Sequence, residues 1–416
     1  MTGQGQIVVH ERNLYLKRIA PFLGRPVVKI LTGMRRVGKS CLLRLLRAEM
    51  LRKGMPAGNL RFIDKESMDF DALRTDRDLH ADVTAAFKRR KGPKALLVDE
   101  VQEIAGWERA VASLSGRGDV DIVLTGSNAH MFSSELAGRL SGRYVEFPIY
   151  SLSFAEFLAF RGADAGKRDA EFVRYLRYGG LPALHHMELS DEVVFQYLSS
   201  LYSAILLKDI VARHAVRQVA LLENIARFLF DNIGQTVSAN RISAYLRSQR
   251  LRVGVDTVIN YLGYFQEAML MHKAARYDIK GRRLLELHEK YYLGDIGMRH
   301  ALLGYREADI APILENVVYL ELRRRGYTVA IGKWGEREID FIATREKEKL
   351  YVQVAYLLNA SRTIRREFGP LLETPDNYPK LVLSMDPVFG GDYEGVRRMH
   401  LLDFLMAPGE GTSWAS

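Results

Sequence analysis

Four short apolar runs mark the first 150 residues: PVVKILTG at 26–33, KALLVDE at 94–100, VDIVLTGSN at 120–128 and RYVEFPIY from Arg143. The first two read as buried strands, the third is again apolar and ends in small polar residues, and the fourth follows a helical segment that carries Arg139. Leucines at helical spacing in SCLLRLLRAEML predict a helix directly after the first strand. From 151 to about 212 the periodicity turns helical, in SFAEFLAF, EFVRYLRY and EVVFQYLSSLYSAILL. It breaks at Tyr178-Gly-Gly-Leu-Pro182, a helix stop followed by a proline helix start.

From about 218 three helical segments, ALLENIARFLFDNIG, SANRISAYLRS and GVDTVINYLGYFQEAML, precede two strand-like ones, MLMHKAARYDI and RRLLELHEKYYLGD. This is the order of a winged helix, with N-caps expected at Ser238 and within Val255-Asp256-Thr257. The last third begins near Ala311-Pro312, with LENVVYLELRRRGY as an amphipathic helix and REIDFIAT and KLYVQVAYLL as strands. The tail APGEGTSWAS reads as flexible.

The chemistry starts where the first strand ends. Gly33-Met34-Arg35-Arg36-Val37-Gly38-Lys39-Ser40 fits G-x-x-x-x-G-K-[ST] and lies between a strand and a helix that opens at Cys41. Backbone N–H groups of such a loop and of the helix N-terminus point at phosphates, Lys39 neutralises the β- and γ-phosphates of ATP, and the Ser40 hydroxyl holds Mg²⁺. The second run ends in two acids, so Asp99 is expected beside the metal and Glu100 as the base that polarises the attacking water. Ser127 and Asn128, at the end of the third run, could reach the water or the γ-phosphate. Arg139 and Arg143 are candidates for an arginine that reaches a neighbouring subunit's nucleotide.

GMRRVGKS, LLVDEVQEIAGWERAVASL, IVLTGSNAHMFSSELAGRLSGRYVEF and SLSFAEF together resemble the AAA-type P-loop ATPases of bacteria and archaea that carry an uncharacterised C-terminal domain. The resemblance extends over nearly the whole chain. It implies an α/β additional-strand core with sheet order 5-1-4-3-2, Glu100 as catalytic base, Ser127 or Asn128 as first sensor, and Arg143 before Arg139 as the finger. Gly-Leu-Pro182 looks like the GxP lid motif of signal-transducing and origin-binding ATPases. The expected layout is an ATPase core at 1–150, a helical lid at 151–215, a winged helix at 216–305, a nuclease-like domain at 306–407 and a tail at 408–416.

That nuclease-like reading rests on Glu315, Asp340 and Gln353, which resemble the metal-binding acids and the E/Q-x-K pair of the PD-(D/E)xK fold. Ala355 stands where that pattern has lysine, and glutamine is a neutral, weaker ligand, so the expectation is a degenerate site kept for binding.

Length and charge complete the picture. At 416 residues the chain needs two to four domains, and 48% hydrophobic with 26% charged residues is an ordinary globular composition. No apolar stretch approaches the roughly 18 residues of a membrane span, and IVV near the N-terminus is followed at once by charged residues, so a cytoplasmic protein is expected. Cys41, the single cysteine, cannot form an internal disulfide and reads as a small buried apolar residue. The net charge of +10 points to a polyanionic partner. Arg247, Arg250 and Arg252 before the third winged-helix segment, with Arg276, Lys280, Arg282 and Arg283 on the wing, suit phosphate contacts on DNA, while Asp256 and Glu267 on the third helix argue against strong base reading. The leading expectation is an ATP-driven protein that binds or remodels DNA, branched DNA included, as a homo-oligomer or ring. The alternatives are a nucleotide switch acting through protein contacts and an ATP-regulated nuclease.

Overall fold

The apolar runs of the first third become parallel strands. In the computed structural model, which describes residues 10–128, 138, 140, 142–163, 165–358, 360–387 and 391–408, they are β1 (Val28–Thr32), β3 (Lys94–Asp99), β4 (Val120–Gly126) and β5 (Tyr144–Pro148). The fifth strand, β2 (Leu60–Asp64), comes from LRFID. The sheet order is β2-β3-β4-β1-β5, the expected 5-1-4-3-2, and all neighbours are parallel. Central β1 and β4 are buried throughout, whereas the edge strands β2 and β5 are only partly covered. Helix Asp76–Phe87, started by a capping box of Thr75 and Asp78, packs with Trp107–Ser115. Leu79, Val83, Val111 and Leu114 join Ile30, Leu96 and Leu124 in one core. A buried ion pair, Lys29 with Asp121, ties β1 to β4, and the Gly24 N–H donates to the same carboxylate at 2.7 Å.

The chain divides into two compact units, Met1–Ile149 and Tyr150–Ser416. The second opens with helix Phe154–Arg161, whose capping box of Ser153 and Glu156 explains the SLSFAEF motif. Helices Arg168–Tyr178 and Asp191–Ala204 follow, the latter running into a π-helical stretch Ile205–Ala212. Between them the stop after Tyr178 and the 3₁₀ helix beginning at Pro182 form as expected. Gly180 is held there by Asp295, whose carboxylate accepts the Gly180 N–H at 2.8 Å and the Gly297 N–H at 2.9 Å. Burial pushes the Asp295 carboxyl up to about 6, against the pull of these N–H donors.

Helices Val219–Asp231, Ala239–Ser248 and Val255–Glu267 lead into β7 (Met271–Asp278) and β8 (Arg283–Leu293), with the two-residue β6 (Thr236–Val237) between the first two helices and paired to β8. Ser238 caps the second helix as expected. The third begins from Gly254 with no side-chain cap, so none of Val255, Asp256 and Thr257 serves as its N-cap.

After helix Ile310–Arg324 come β9 (Thr328–Trp334), β10 (Arg337–Arg345) and β11 (Glu348–Val354) as an antiparallel meander, helix Ser361–Glu373, and β12 (Lys380–Ser384), β13 (Asp392–Tyr393) and β14 (Val396–His400). β12 is parallel to both β11 and β14. One nine-stranded sheet, β13-β14-β12-β11-β10-β9-β7-β8-β6, unites the 216–305 and 306–407 segments through parallel pairing of β7 with β9. Helix Ile310–Arg324 is buried nearly all round and is not amphipathic. Its polar groups are answered inside: the Asn316 side chain bonds the Leu293 backbone, and Glu321 pairs with Arg324 and Arg325. No described helix is long and apolar enough to cross a membrane.

Candidate functional site

Strand order decides which side chains meet. β3, β4 and β1 are neighbours, so their C-terminal ends bring Asp99 and Glu100, Thr125 to Asn128, and the loop from Gly33 to one crevice. The loop has the backbone that its glycines permit. Gly38 lies at φ 98° before helix Lys39–Arg52, and a Cβ at Gly33 would stand 2.3 Å from the Ile149 carbonyl oxygen. Arg36 is exposed in a left-handed conformation at φ 69°. Arg35 reaches Glu66 at 3.8 Å, and Met34 and Val37 are buried beneath the loop.

Lys39 is 4% exposed, and its ammonium donates to the carbonyls of Gly33 at 2.8 Å and Met34 at 3.0 Å. Cys41 is exposed, contrary to the buried reading: Leu42, Leu43 and Leu46 take the inward face of the helix and leave Cys41 outside it.

The acids form a connected set. Thr125 donates its hydroxyl to the Asp99 carboxylate and accepts the Glu100 N–H at 2.9 Å, and Ser40 donates to Asp99 as well. Burial raises the Asp99 carboxyl above its ordinary range; the two hydroxyls oppose this, and the carboxylates of Glu100 and Asp64 add to it. A divalent cation beside Asp99 and Ser40 relieves that buried negative charge, so these residues fit Mg²⁺. Glu100 sits at φ 50°, a conformation that costs a non-glycine residue about 1–3 kcal/mol and that turns it out of the strand. The Gln102 amide donates to the Glu100 carboxylate and, at 3.4 Å, to the Ser127 hydroxyl, while Ser127 and Asn128 are themselves buried.

Thr125 and Gln102 are absent from the sequence-based site. Thr125 stands beside Ser127 in the quoted LTGSN, but its role depends on the β3–β4 register, in which Val98 lies opposite Leu124. Arg143 is exposed at the start of β5, where its carbonyl accepts the Val28 N–H at 2.8 Å. That is the end of the sheet away from the loop, about 13 Å down the strands from Thr32. Arg143 therefore does not meet the phosphate loop of its own chain. Arg139 lies outside the described residues, as do residues 409–416 of the expected tail.

In the second unit, Arg250 and Arg252 are exposed between two helices, Arg247 is exposed and donates to the Ser243 hydroxyl at 3.0 Å, and Arg282 and Arg283 are exposed at the β7–β8 turn. Arg276, expected on the wing, instead faces Glu338 at 3.8 Å, because β7 is an inner strand beside β9.

Glu315, Asp340 and Gln353 do converge, on a cavity of about 690 Å³. Gln353 accepts the Asp340 N–H at 3.2 Å and donates to Glu367 at 2.8 Å, and the Asp340 carboxylate accepts the Val354 N–H at 2.9 Å. Burial drives the Asp340 carboxyl well above the carboxylate range, helped by Glu315 and opposed by Lys290. Lys290, another residue absent from the sequence-based site, enters from β8 and donates to Glu315 at 2.9 Å and Glu338 at 2.7 Å.

Comparison with known proteins supplies the family. Residues 25–158 match an AAA domain, and residues 169–309 match a domain of unknown function. An uncharacterised protein of Haemophilus influenzae is 35% identical over 398 residues, 95% of this chain and 98% of that one. An uncharacterised protein of Methanocaldococcus jannaschii is 30% identical over 66% of this chain and 64% of its own. A Walker-type ATPase of Pyrococcus abyssi is similar at TM-score 0.48 and 15% identity, over 71% of this chain and 96% of that one. With its phosphate loop, its 5-1-4-3-2 sheet and an end-to-end relative in Haemophilus influenzae, the chain belongs to the AAA-type P-loop ATPases.

Proposed function

We propose that this protein hydrolyses Mg-ATP and couples the cycle to DNA. The observation that carries the ATPase reading is the hydroxyl-bridged set of Ser40, Asp99, Thr125 and Glu100 beside the phosphate loop. Lys39 and the loop N–H groups bind the phosphates, Ser40 and Asp99 hold the metal, and Glu100, oriented by Gln102, takes the proton of the attacking water. When bound there, Mg²⁺ would supply charge neutralisation for the nucleotide phosphates. Ser127 and Asn128 line the same crevice and position the water.

The position of Arg143, away from its own loop, supports an oligomer in which one subunit's arginine completes the next subunit's site. Mixing Arg143→Ala subunits with Lys39→Ala subunits is expected to recover part of the activity that each lacks, measured as phosphate release over a range of ratios. No recovery at any ratio would point to a site complete within one chain.

For the second unit we read 151–215 as a lid, 216–305 as a winged helix and 306–407 as a nuclease-like domain kept for binding. The helix–strand–helix–helix–strand–strand order, with β6 paired to β8, supports the winged helix. Its exposed Arg250, Arg252, Arg282 and Arg283 suit DNA phosphates. Replacing all four with alanine is expected to weaken duplex binding for every sequence alike. It should also flatten the log–log salt slope by about 0.9 for each phosphate no longer neutralised, read from labelled duplex across a salt series. Basal ATPase activity should persist. Exposed Tyr245, Ile259 and Leu284 favour a second reading, a nucleotide switch that docks a protein there. Unchanged affinity and slope in the four-arginine variant would move that reading ahead.

A further inference from the structure

The C-terminal cavity has an acidic floor and a basic rim, and the two are not equally available to a ligand. On the floor each carboxylate already has a partner within the chain. Glu315 accepts from Lys290 and from the Tyr292 hydroxyl. Glu338 pairs with Lys290 at 2.7 Å and faces Arg276 at 3.8 Å. Glu367 accepts from Gln353 at 2.8 Å and from Arg366 at 2.7 Å.

Lys290 is the centre of this arrangement. It is 4% exposed, and its contacts with Glu315 and Glu338 hold it in the charged form against the cost of burial. A single ammonium thus stands among the acids that a divalent cation would need. Among the described residues no group of three or more His, Cys, Asp and Glu is arranged to hold a metal ion.

The rim is different. Arg337 pairs with Glu373 at 2.7 Å, but Arg362 and Arg365 are exposed and have no ion pair among the described residues. They lie three residues apart on helix Ser361–Glu373, so both guanidinium groups rise from one face over the cavity mouth. The floor carboxylates are engaged by groups of the chain itself, so the charged groups left at the mouth for a ligand are the planar guanidinium groups of Arg362 and Arg365, the chemistry that takes phosphate oxygens in pairs. The volume of about 690 Å³ lies within the range of small-ligand pockets, about 300–1,000 Å³, and suits one or two nucleotides rather than a duplex.

We propose that this cavity is a metal-independent receptor for a single-stranded phosphodiester chain, in which the Lys290 ammonium takes the place of a divalent cation and Arg362 and Arg365 take the phosphates. The site uses none of the four arginines assigned above to duplex DNA, so either site can fail without the other.

The test uses the full-length protein and a labelled strand of about six thymidines, followed by fluorescence anisotropy. Binding is expected to differ by less than about twofold between EDTA and Mg²⁺. In Arg362→Ala/Arg365→Ala it is expected to fall about tenfold or more, with the salt slope reduced by about 1.4, the value for two phosphates on a single strand. The four-arginine variant should bind this strand like the unaltered protein. No binding by the unaltered protein, loss of binding in EDTA, or an unchanged slope in the double variant each overturns the proposal. Displacement of the strand by inorganic phosphate at equal phosphate concentration would reassign the cavity to single phosphates and also overturn the chain reading. Terbium luminescence tests the floor without DNA. No emission dependent on Glu315 is expected in the unaltered protein, and a gain is expected in Lys290→Met. Emission in the unaltered protein that Glu315→Gln abolishes would show that the floor accepts a metal and would overturn the role of Lys290.

Discussion

Glu100→Gln is expected to bind Mg-ATP with nearly unaltered affinity and to hydrolyse it about 10²–10³-fold more slowly, the range that a positioned general base supplies. The geometry makes this a clean substitution. Glu100 is held by its backbone, through the N–H bond to Thr125 and the left-handed turn after β3, and neither depends on the side chain. Its carboxylate accepts from the Gln102 amide, and a glutamine can keep that bond by turning its own carbonyl oxygen toward Gln102. What then faces the water is an N–H donor where a proton acceptor stood. The phosphate loop and Asp99 are untouched, so ground-state binding should survive while the step that needs a base is lost. The check pairs equilibrium nucleotide binding with steady-state phosphate release. Turnover within about threefold of the unaltered protein would assign the base to another residue.

The phosphate loop was legible because its chemistry is contiguous. Eight residues between one strand and one helix carry the glycines, the lysine and the magnesium hydroxyl, and local backbone geometry does the rest. Asp99 and Glu100 were legible for a related reason, since an apolar run that ends in two acids places them at a strand tip. Thr125 and Gln102 were not. A threonine at the end of a buried strand is ordinary, and only the pairing of β4 with β3 sets its hydroxyl against Asp99 and the Glu100 N–H. β2 carries no such signal because LRFID is an edge strand whose arginine and aspartate interrupt the apolar run: Arg61 pairs with Asp82, and Asp64 with Arg44.

The second unit shows the same limit on a larger scale. Reading 216–305 and 306–407 as successive segments follows the chain, but the sheet does not: β7 lies between β8 and β9, which turns Arg276 toward Glu338. The same sheet carries β8, from which Lys290 reaches Glu315 and Glu338. Sequence alone could note that Ala355 is not a lysine. It could not find that a lysine 65 positions earlier supplies the positive charge, because that proximity exists only after the β7–β9 pairing forms. Cys41 and helix Ile310–Arg324 failed in opposite directions for one reason. Burial depends on what an element packs against, so a cysteine can end on the outer face of a buried leucine helix while asparagine, glutamate and arginine end inside another.

Lys39→Ala is expected to weaken Mg-ATP binding by roughly a hundredfold, equivalent to about 3 kcal/mol, and to leave no measurable turnover. Lys39 is 4% exposed, the first residue of helix Lys39–Arg52, and its ammonium donates to the carbonyls of Gly33 and Met34. Those bonds fix the ammonium in the loop, so its charge is already placed when a phosphate arrives, and the low local dielectric strengthens the interaction. As charge shifts during γ-phosphoryl transfer the same ammonium stabilises the transition state, so the loss in turnover should exceed the loss in binding. Lys39→Arg should not rescue either property, because a planar guanidinium is too broad to replace an ammonium enclosed by the two loop carbonyls. Folding is the necessary control. Removing the lysine deprives the Gly33 and Met34 carbonyls of a donor, so a thermal melt accompanies the nucleotide titration, and only a protein melting within a few degrees of the unaltered one counts. If such a protein binds Mg-ATP within about threefold of the unaltered affinity, the phosphates are held elsewhere and the loop loses its assigned role.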